Sequence, residues 1–569
     1  MKVDFLYEQW CNHAVDDPDL QEELQAIQGK EDEIADRFYK ELEFGTAGLR
    51  GVIGAGTNRM NVYTVRKATQ GLAEYVRSVT HEGRVAIAFD SRIKSELFAR
   101  EAACVLAAND IQVYLYAELM PTPMLSFAVR KLGCEAGIVI TASHNPAKYN
   151  GYKAYGSDGC QLSVENSEKV LSFVDRVPMF GGAKRMDFAQ AVASGRIVFI
   201  PDEVIEQYLD AVQRCSVRPV QSDLKVIYTP LNGTGNRPVR AILKRIGCDN
   251  VTVVSAQECP DGNFPTCPFP NPEIRQAFEQ AIALAEQEQP RADLLLATDP
   301  DCDRVGIAVL HEGEYRLLTG NEVGVMLLNY ILSGRKEQGT LPANPVAVKT
   351  IVTSSLADRV AEQYGCQMID VLTGFKYIGE QIALLEGRGE EGRFVFGFEE
   401  SYGYLAGSYV RDKDAVVASM LICEMASYYK EKGKTLVDVI EGLYQELGMV
   451  LSTQRSYTCE GEAGMQRMNE LMASLRALPP ARLGGQEVTA VLDFGKSIET
   501  NLETGEEKPI LLPKSEVLYY RLANGGNVIV RPSGTEPKIK AYISAVGADR
   551  AGAQQMADDL LADMDVFLA

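Results

Sequence analysis

Nowhere does this chain hold an uninterrupted apolar run approaching the roughly 18 residues that a membrane span needs. Its first residues set Lys2, Asp4, Glu8 and His13 among apolar neighbours, so they do not read as a signal peptide either. Histidine is scarce, with four in 569 residues, and the twelve cysteines stand singly from Cys11 to Cys459 without a C-x-x-C pair. That spacing offers neither a zinc site nor a disulfide framework and predicts reduced thiols in a cytoplasmic protein. Basic residues are the minority, 57 against 78 acidic, for a net charge of −21. A nucleic-acid backbone or an anionic membrane would be repelled by that field, so neither is expected as a partner. Any phosphate the chain binds must be gripped by local basic residues.

What is present is globular. Hydrophobic residues make up 46% and charged residues 24%, and the length leaves room for several domains but excludes a single small module. An N-terminal helical arm opens at Asp17-Pro18 over Asp19–Gln28, and the one tryptophan, Trp10, lies in it and is expected to pack. Val62, Val65, Thr69, Leu72, Tyr75 and Val76 recur at helical spacing, and Val85–Phe89 follows as a strand. Strand-like runs return at 137–141, 225–228, 294–298, 394–398 and 528–530, mostly continuous and apolar, as in sheets covered on both faces. The fold class is therefore α/β with buried parallel or mixed sheets.

Four of these runs end in a polar loop: Thr141–Pro146, Asp299–Arg304, Gly397–Gly403 and Arg531–Pro537. In open α/β sheets, ligands bind outside the carboxyl ends of strands, so four such loops are candidates for one cleft. Asp299, Asp301 and Asp303 set carboxylates at i, i+2 and i+4, and Pro300 keeps residue 299 out of helical geometry. An extended loop would aim all three at one hard cation such as Mg²⁺ or Ca²⁺. An EF-hand is excluded, because its sixth position would be Arg304 and its twelfth Leu310. A solvated acidic turn is the plain alternative, and the adjacent Arg304 favours phosphate chemistry over it.

Ser143 sits between a buried strand and an Asn-Pro turn, where a hydroxyl can be presented at a sheet edge. The G-x-S-x-G elbow of a hydrolase is missing, and on an extended chain Ser143 and His144 would point apart. A phosphorylated serine, giving an oxygen to a metal held by the aspartates, fits better than a hydrolytic nucleophile; an ordinary turn residue is the alternative. Arg531, Ser533, Gly534, Thr535 and Lys538 form a compact donor set suited to a phosphate dianion, or else a simple hairpin. Glu399 and Ser401 offer acceptors for sugar hydroxyls, or a surface turn. Gly387-x-Gly389-x-x-Gly392 counts like a dinucleotide loop, but it follows a helical segment and precedes a strand, so it reads as a loop only.

Five segments, Phe44–Gly51, Thr141–Pro146, Asp299–Arg304, Gly397–Gly403 and Arg531–Pro537, resemble the α-D-phosphohexomutase superfamily in order and spacing from about residue 44 to 540. The resemblance implies three related α/β domains with mixed sheets and a smaller, divergent C-terminal α+β domain around a central cleft, here divided at 1–205, 206–314, 315–445 and 446–569. It implies that Ser143 carries the phosphoryl group and, with Asp299, Asp301 and Asp303, holds Mg²⁺. Arg50, His144, Lys153 and Arg304 would surround the phosphoserine. Glu399, Ser401, Lys376 and Lys413 would meet the sugar, while Arg531, Ser533, Gly534 and Thr535 grip the phosphate that is not transferred. Lys153, His144 and Lys413 all remain candidates for the general base.

The expected reaction moves a phosphoryl group from Ser143 to a hexose monophosphate and back from the other end of the bisphosphate intermediate, with glucose 1,6-bisphosphate as activator. Glu399-Glu400-Ser401 and Thr373-Gly374-Phe375-Lys376 look like the phosphoglucomutase versions, and the long N-terminal arm and Asn150–Gly156 are most similar to the branch of bacterial α-phosphoglucomutases and eukaryotic phosphopentomutases. Mannose-accepting members often carry a His where this chain has Gly403. Glucose phosphates are therefore the favoured substrates, over ribose and mannose phosphates, for a monomer or homodimer. A sugar-bisphosphate synthase and a non-catalytic phosphosugar-binding scaffold are the competing readings.

Overall fold

The computed structural model describes residues 2–45, 48–221, 223–459, 461–533 and 538–568. They fall into two compact units, Met1–Leu318 with Ile378–Phe394 and Tyr402–Thr435, and Thr319–Tyr377 with Val395–Ser401 and Leu436–Ala569.

The first unit contains two mixed sheets. One is built from β1 (Gly48–Val52), β2 (Arg84–Phe89), β3 (Gln112–Leu115), β4 (Ala136–Ile140), β5 (Tyr149–Gly156) and β6 (Ile197–Phe199), in the order β1-β5-β4-β2-β3-β6. Strands β4, β2, β3 and β6 run parallel, β5 returns antiparallel to β4, and β1 is antiparallel to β5. The other sheet comprises β7 (Val226–Thr229), β8 (Val251–Val253), β9 (Leu294–Thr298), β10 (Val305–His311) and β11 (Glu314–Leu318), in the order β11-β10-β9-β7-β8. There β9, β7 and β8 are parallel, β10 turns back against β9, and β11 is antiparallel to β10. β4 and β9 thus occupy equivalent places: each is the last parallel strand, and its carboxyl end opens into a loop that leads to the first antiparallel strand. Both are wholly buried, which is why they read as unbroken apolar runs.

The helix predicted after residue 62 spans Val62–Val79, started by an Asn61–Thr64 capping box, and buries Val65, Ala68, Leu72 and Val76. The first-arm helix runs Pro18–Ala26, with the Asp17 side chain accepting from the Asp19 amide. Trp10 is buried between Phe38, Tyr63 and Phe180, in edge-to-face contacts, so it packs as expected. Residues 387–393 form a turn and a short 3₁₀ segment, not a nucleotide loop.

In the second unit, β12 (Val346–Thr350) runs parallel to β13 (Gln367–Val371), and β14 (Phe394–Glu399) lies on its other side. The C-terminal sheet is antiparallel; from the edge strand Met449–Thr458 it continues through Lys538–Gly547 and Asn527–Pro532 to Leu518–Leu522. The helix Arg550–Leu568 covers one face. The other face buries Phe494, Val517, Ile529 and Tyr542 against Ile351, Val352 and Leu372, so the C-terminal sheet rests on loops of the β12–β14 region.

Candidate active site

The carboxyl end of β4 presents Ser143 in a strained form. Its φ is 52°, a left-handed value that a β-substituted residue adopts at a cost. The amide donates to Thr141 Oγ1 at 2.8 Å, which holds the turn. This turn, absent from an extended reading, brings His144 back: its Nδ1 lies 3.2 Å from Ser143 Oγ. The hydroxyl donates to Asp299 Oδ2 at 2.8 Å, across 156 residues of sequence.

The Asp299–Arg304 loop is likewise a tight turn, not an extended segment. The Cys302 amide donates to the Asp299 carbonyl at 2.9 Å, and Cys302 takes φ 52°. Asp299 Oδ1 accepts the amides of Asp303 and Arg304 at 3.1 and 3.0 Å, so the first carboxylate organises the backbone that carries the third. Gly233 makes this turn possible from outside, since a Cβ there would lie 2.4 Å from Pro300 Cα. The three carboxylates are at most 1% exposed, and one oxygen of each lies within 4.8 Å of the others.

Two lysines border the trio. Lys153, on β5, places its Nζ 2.9 Å from Asp301 Oδ2 and 3.6 Å from Asp303 Oδ2. Lys413 reaches Asp303 Oδ2 at 2.9 Å and Asp412 Oδ1 at 3.3 Å, while Asp412 accepts the Tyr155 hydroxyl at 2.8 Å. Thr122 Oγ1 donates to Asp301 Oδ2 at 2.9 Å. The other oxygens, Asp301 Oδ1 and Asp303 Oδ1, are buried and accept no hydrogen bond. Buried carboxylate oxygens without donors, within reach of one another and with no nitrogen or sulfur ligand, fit a small hard cation such as Mg²⁺.

The charges respond accordingly. Burial pushes the Asp299 carboxyl well up, and the neighbouring Asp301 and Asp303 push the same way. Burial also opposes charge on Asp301, but Lys153 overcomes it and holds that carboxyl below its usual range. Against its own burial, Lys153 is raised by Asp301 and Asp303 and stays an ammonium. Burial, then Arg304 and Arg50, drives the His144 imidazole well below its ordinary value, so it is neutral. Arg50 stands on β1 opposite Gly151, and Arg304 pairs with Glu273 at 3.0 Å.

Of the sequence candidates, Ser143, His144, Lys153, Arg304, Arg50, Lys413 and the three aspartates gather in this unit. Glu399, Ser401, Lys376, Arg531 and Ser533 belong to the second unit, while Gly534 and Thr535 lie outside the described residues. Glu399 ends β14 and is 5% exposed. Thr350 Oγ1 donates to Glu400 Oε2 at 3.3 Å. Burial raises the Tyr542 phenol, Glu400 adds to the rise and Arg531 counters it. The Ser533 amide donates to the Lys538 carbonyl at 2.8 Å. Sequence reasoning missed Thr122, Glu273, Asp412 and, above all, Asp90 and Arg92, although Val85–Phe89 is a fifth strand with a polar carboxyl end.

Comparison with known proteins agrees with this layout. Models of the phosphoglucomutase/phosphomannomutase family match as α/β/α domain I over residues 41–178, domain II over 206–313, domain III over 319–447 and the C-terminal domain over 496–562. A phosphoglucomutase of Staphylococcus aureus is 40% identical over 514 residues, covering 90% of this chain and 91% of that protein. One of Staphylococcus epidermidis is 40% identical over 506 residues, covering 88% and 90%. The fold is shared with a phosphoglucomutase/phosphomannomutase family protein from Burkholderia thailandensis (TM-score 0.66, 19% identity, 92% and 97% covered). It is shared also with parafusin, a phosphoglucomutase from Paramecium, in an open form (TM-score 0.67, 17% identity, 93% and 94% covered). Among the described residues, no helix is long and apolar enough to cross a membrane. With all four family models matched in order, and the buried serine and aspartate loops at equivalent strand ends, the chain belongs to the phosphoglucomutase/phosphomannomutase family.

Proposed function

We propose that this chain interconverts glucose 1-phosphate and glucose 6-phosphate through a phosphorylated Ser143 and a glucose 1,6-bisphosphate intermediate. The observation that carries the reading is the 2.8 Å bond from Ser143 Oγ to a fully buried aspartate trio flanked by Lys153 and Lys413. Asp299, Asp301 and Asp303, with an oxygen of the phosphorylated serine, would hold Mg²⁺, which when bound would neutralise charge on the transferring phosphoryl group.

The chain's own residues account for the rest. In the first half-reaction the Ser143 Oγ–P bond breaks as a sugar hydroxyl forms the new O–P bond, and the hydroxyl proton passes to a protein base. His144 is neutral and next to Oγ, whereas Lys153 is held charged and suited to donating to phosphoryl oxygens. Arg50 and Arg304 bring positive charge to the same place. Burial of Ser143, at 3% exposure, keeps water from the phosphoserine, whose hydrolysis would end the cycle. In the second half-reaction the bisphosphate presents its other end, and the same atoms run in reverse. Glu399 and Ser401 would read the sugar, and Arg531, Ser533, Gly534 and Thr535 the phosphate that stays.

Glucose over mannose is supported by Gly403 and by the 40% identical relatives named phosphoglucomutases. A coupled assay with glucose, mannose and ribose phosphates, with and without glucose 1,6-bisphosphate, tests this. Turnover of glucose phosphates stimulated by the bisphosphate is expected. Faster turnover of ribose phosphate would overturn the sugar assignment, and strict dependence on an acyl-phosphate donor would replace a mutase by a bisphosphate synthase.

A further inference from the structure

Directly after β2, the chain Asp90-Ser91-Arg92 puts a guanidinium into the interior beneath the serine loop. The Arg92 side chain is fully buried and its Nε lies 3.3 Å from Asp90 Oδ2, which is equally buried. The Asp90 carboxylate is itself held, accepting the Arg92 amide at 2.9 Å and the Ser95 hydroxyl at 2.7 Å on Oδ1. The other edge of the guanidinium faces the backbone of the serine loop. Nη2 donates to the carbonyls of Ser143 and Asn145, and Nη1 to those of Pro146 and Tyr149 at 3.0 and 3.1 Å. One side chain thus gathers four carbonyls from a seven-residue loop, one of them belonging to the strained serine itself.

The remaining face is closed by the region that follows β8. The Phe264 ring lies 5.1 Å from the Arg92 guanidinium carbon. Gly262 packs so closely on the backbone there that a Cβ would stand 2.9 Å from the Arg92 carbonyl carbon and 2.5 Å from the Ile93 amide. A charge this costly to bury is retained only where its geometry is used. Its planar fork matches carbonyls that diverge around a turn, which an ammonium would serve as a point charge.

We propose that Arg92, fixed by Asp90 and capped by Phe264, is a positioning residue that holds the Thr141–Tyr149 loop so that Ser143 keeps its left-handed backbone and its Oγ faces Asp299. Arg92 touches no reacting atom; it acts through the carbonyls of the loop. The inference rests on the phosphoserine reading for its effect on turnover, but its structural half stands apart from that reading.

The test uses the full chain with Arg92→Lys, Arg92→Met and Arg92→Ala. Hydrogen exchange of the amides from Ser143 to Tyr149 is measured beside kcat and KM for glucose 1-phosphate in the presence of the bisphosphate. Arg92→Lys, which keeps the charge against Asp90, is the variant most certain to fold. Faster exchange confined to this loop is expected, with kcat down about a hundredfold and KM within about threefold, the signature of a misplaced nucleophile. Millimolar guanidinium should restore at least about tenfold of the lost kcat in Arg92→Ala, an effect that general destabilisation would not show. Unchanged loop exchange in Arg92→Lys and Arg92→Met would overturn the proposal, as would a kcat within about threefold of the parent. If the parent chain shows no mutase turnover, the functional reading fails while the exchange arm still decides whether Arg92 holds the loop.

Discussion

The charged groups around Ser143 and those on the loops of the second unit are organised in different ways. Asp299, Asp301 and Asp303 are at most 1% exposed, and Asp301 meets Lys153 and Asp303 meets Lys413 at 2.9 Å. In the second unit, Glu399 is buried, but Ser401, Lys376, Arg531 and Ser533 are half-buried. The first set has its counter-charges in place before any substrate arrives, the condition for electrostatic catalysis without reorganisation at the moment of reaction. The proposed substrate-reading groups of the second unit are more accessible than the trio. Substitutions in the first set should therefore act mainly on kcat, and those in the second mainly on KM.

The largest effect tests the contrast at its centre. Ser143→Ala should abolish turnover by on the order of 10⁴-fold or more, because no covalent carrier is left. Intact-mass measurement should show a phosphoryl group on the parent and none on the variant; a variant that turns over normally would remove the reaction from this unit. Next, Asp301→Asn should lower kcat by about 10³-fold. Its Oδ1, now without a donor, is replaced by an amide, and the ion pair with Lys153 is lost. Chelation of the parent should give a comparable loss, reversed by Mg²⁺, and calorimetry should show weakened Mg²⁺ binding by Asp301→Asn. Equal Mg²⁺ affinity in the two proteins would sink the role of the trio.

The same contrast explains what the sequence made legible. Thr141–Pro146 and Asp299–Arg304 are contiguous, and each follows a strand buried on both faces, so pattern and chemistry coincide in one short window. The α/β class and the strands at 294–298 and 394–399 followed from the same apolar runs. Two local geometries did not follow, because Ser143 and Cys302 take left-handed conformations that neither residue type favours. At Ser143 the turn is tied locally to Thr141 and from a distance to Asp299 and Arg92, while the Cys302 turn is closed by its amide on the Asp299 carbonyl. Asp90, Arg92, Thr122 and Glu273 were invisible for a related reason: each serves a loop far from it in sequence. A fifth polar strand end after Phe89 was the available signal.

On the reading side, Glu399→Gln should raise KM for glucose 1-phosphate by about 10- to 50-fold and change kcat by less than about fivefold, as expected when a sugar contact is made equally in the ground and transition states. Steady-state kinetics with the bisphosphate held constant decides it. A fall in kcat with KM unmoved would mean that Glu399 belongs with the charges around Ser143, and the division would have to be redrawn.

The smallest effect comes from an ion cluster in the first unit that faces no reacting atom. Glu386 accepts from Arg130 at 2.7 Å and from Arg411 at 2.8 Å. The Arg130 bond, against some burial and with Arg411 helping, lowers its carboxyl from 4.5 to about 2. A depressed carboxylate stabilises the fold above its ordinary value, and that contribution fades as pH falls through the folded value. Because Glu386 is 41% exposed, solvent screening leaves about 1 kcal/mol at neutral pH. Glu386→Gln should be less stable than the parent by that amount in urea unfolding at pH 7, with the gap narrowing as pH falls from about 4.5 towards 2. Its kcat should not change, although Arg411 lies two residues before Lys413. Arg411 also donates to the Val410 carbonyl at 3.0 Å and its amide to Ser126 Oγ at 3.0 Å, so the loop keeps its anchors without Glu386. A lowered kcat would show that Lys413 depends on this ion cluster, and the buried charges around Ser143 would then not be self-sufficient.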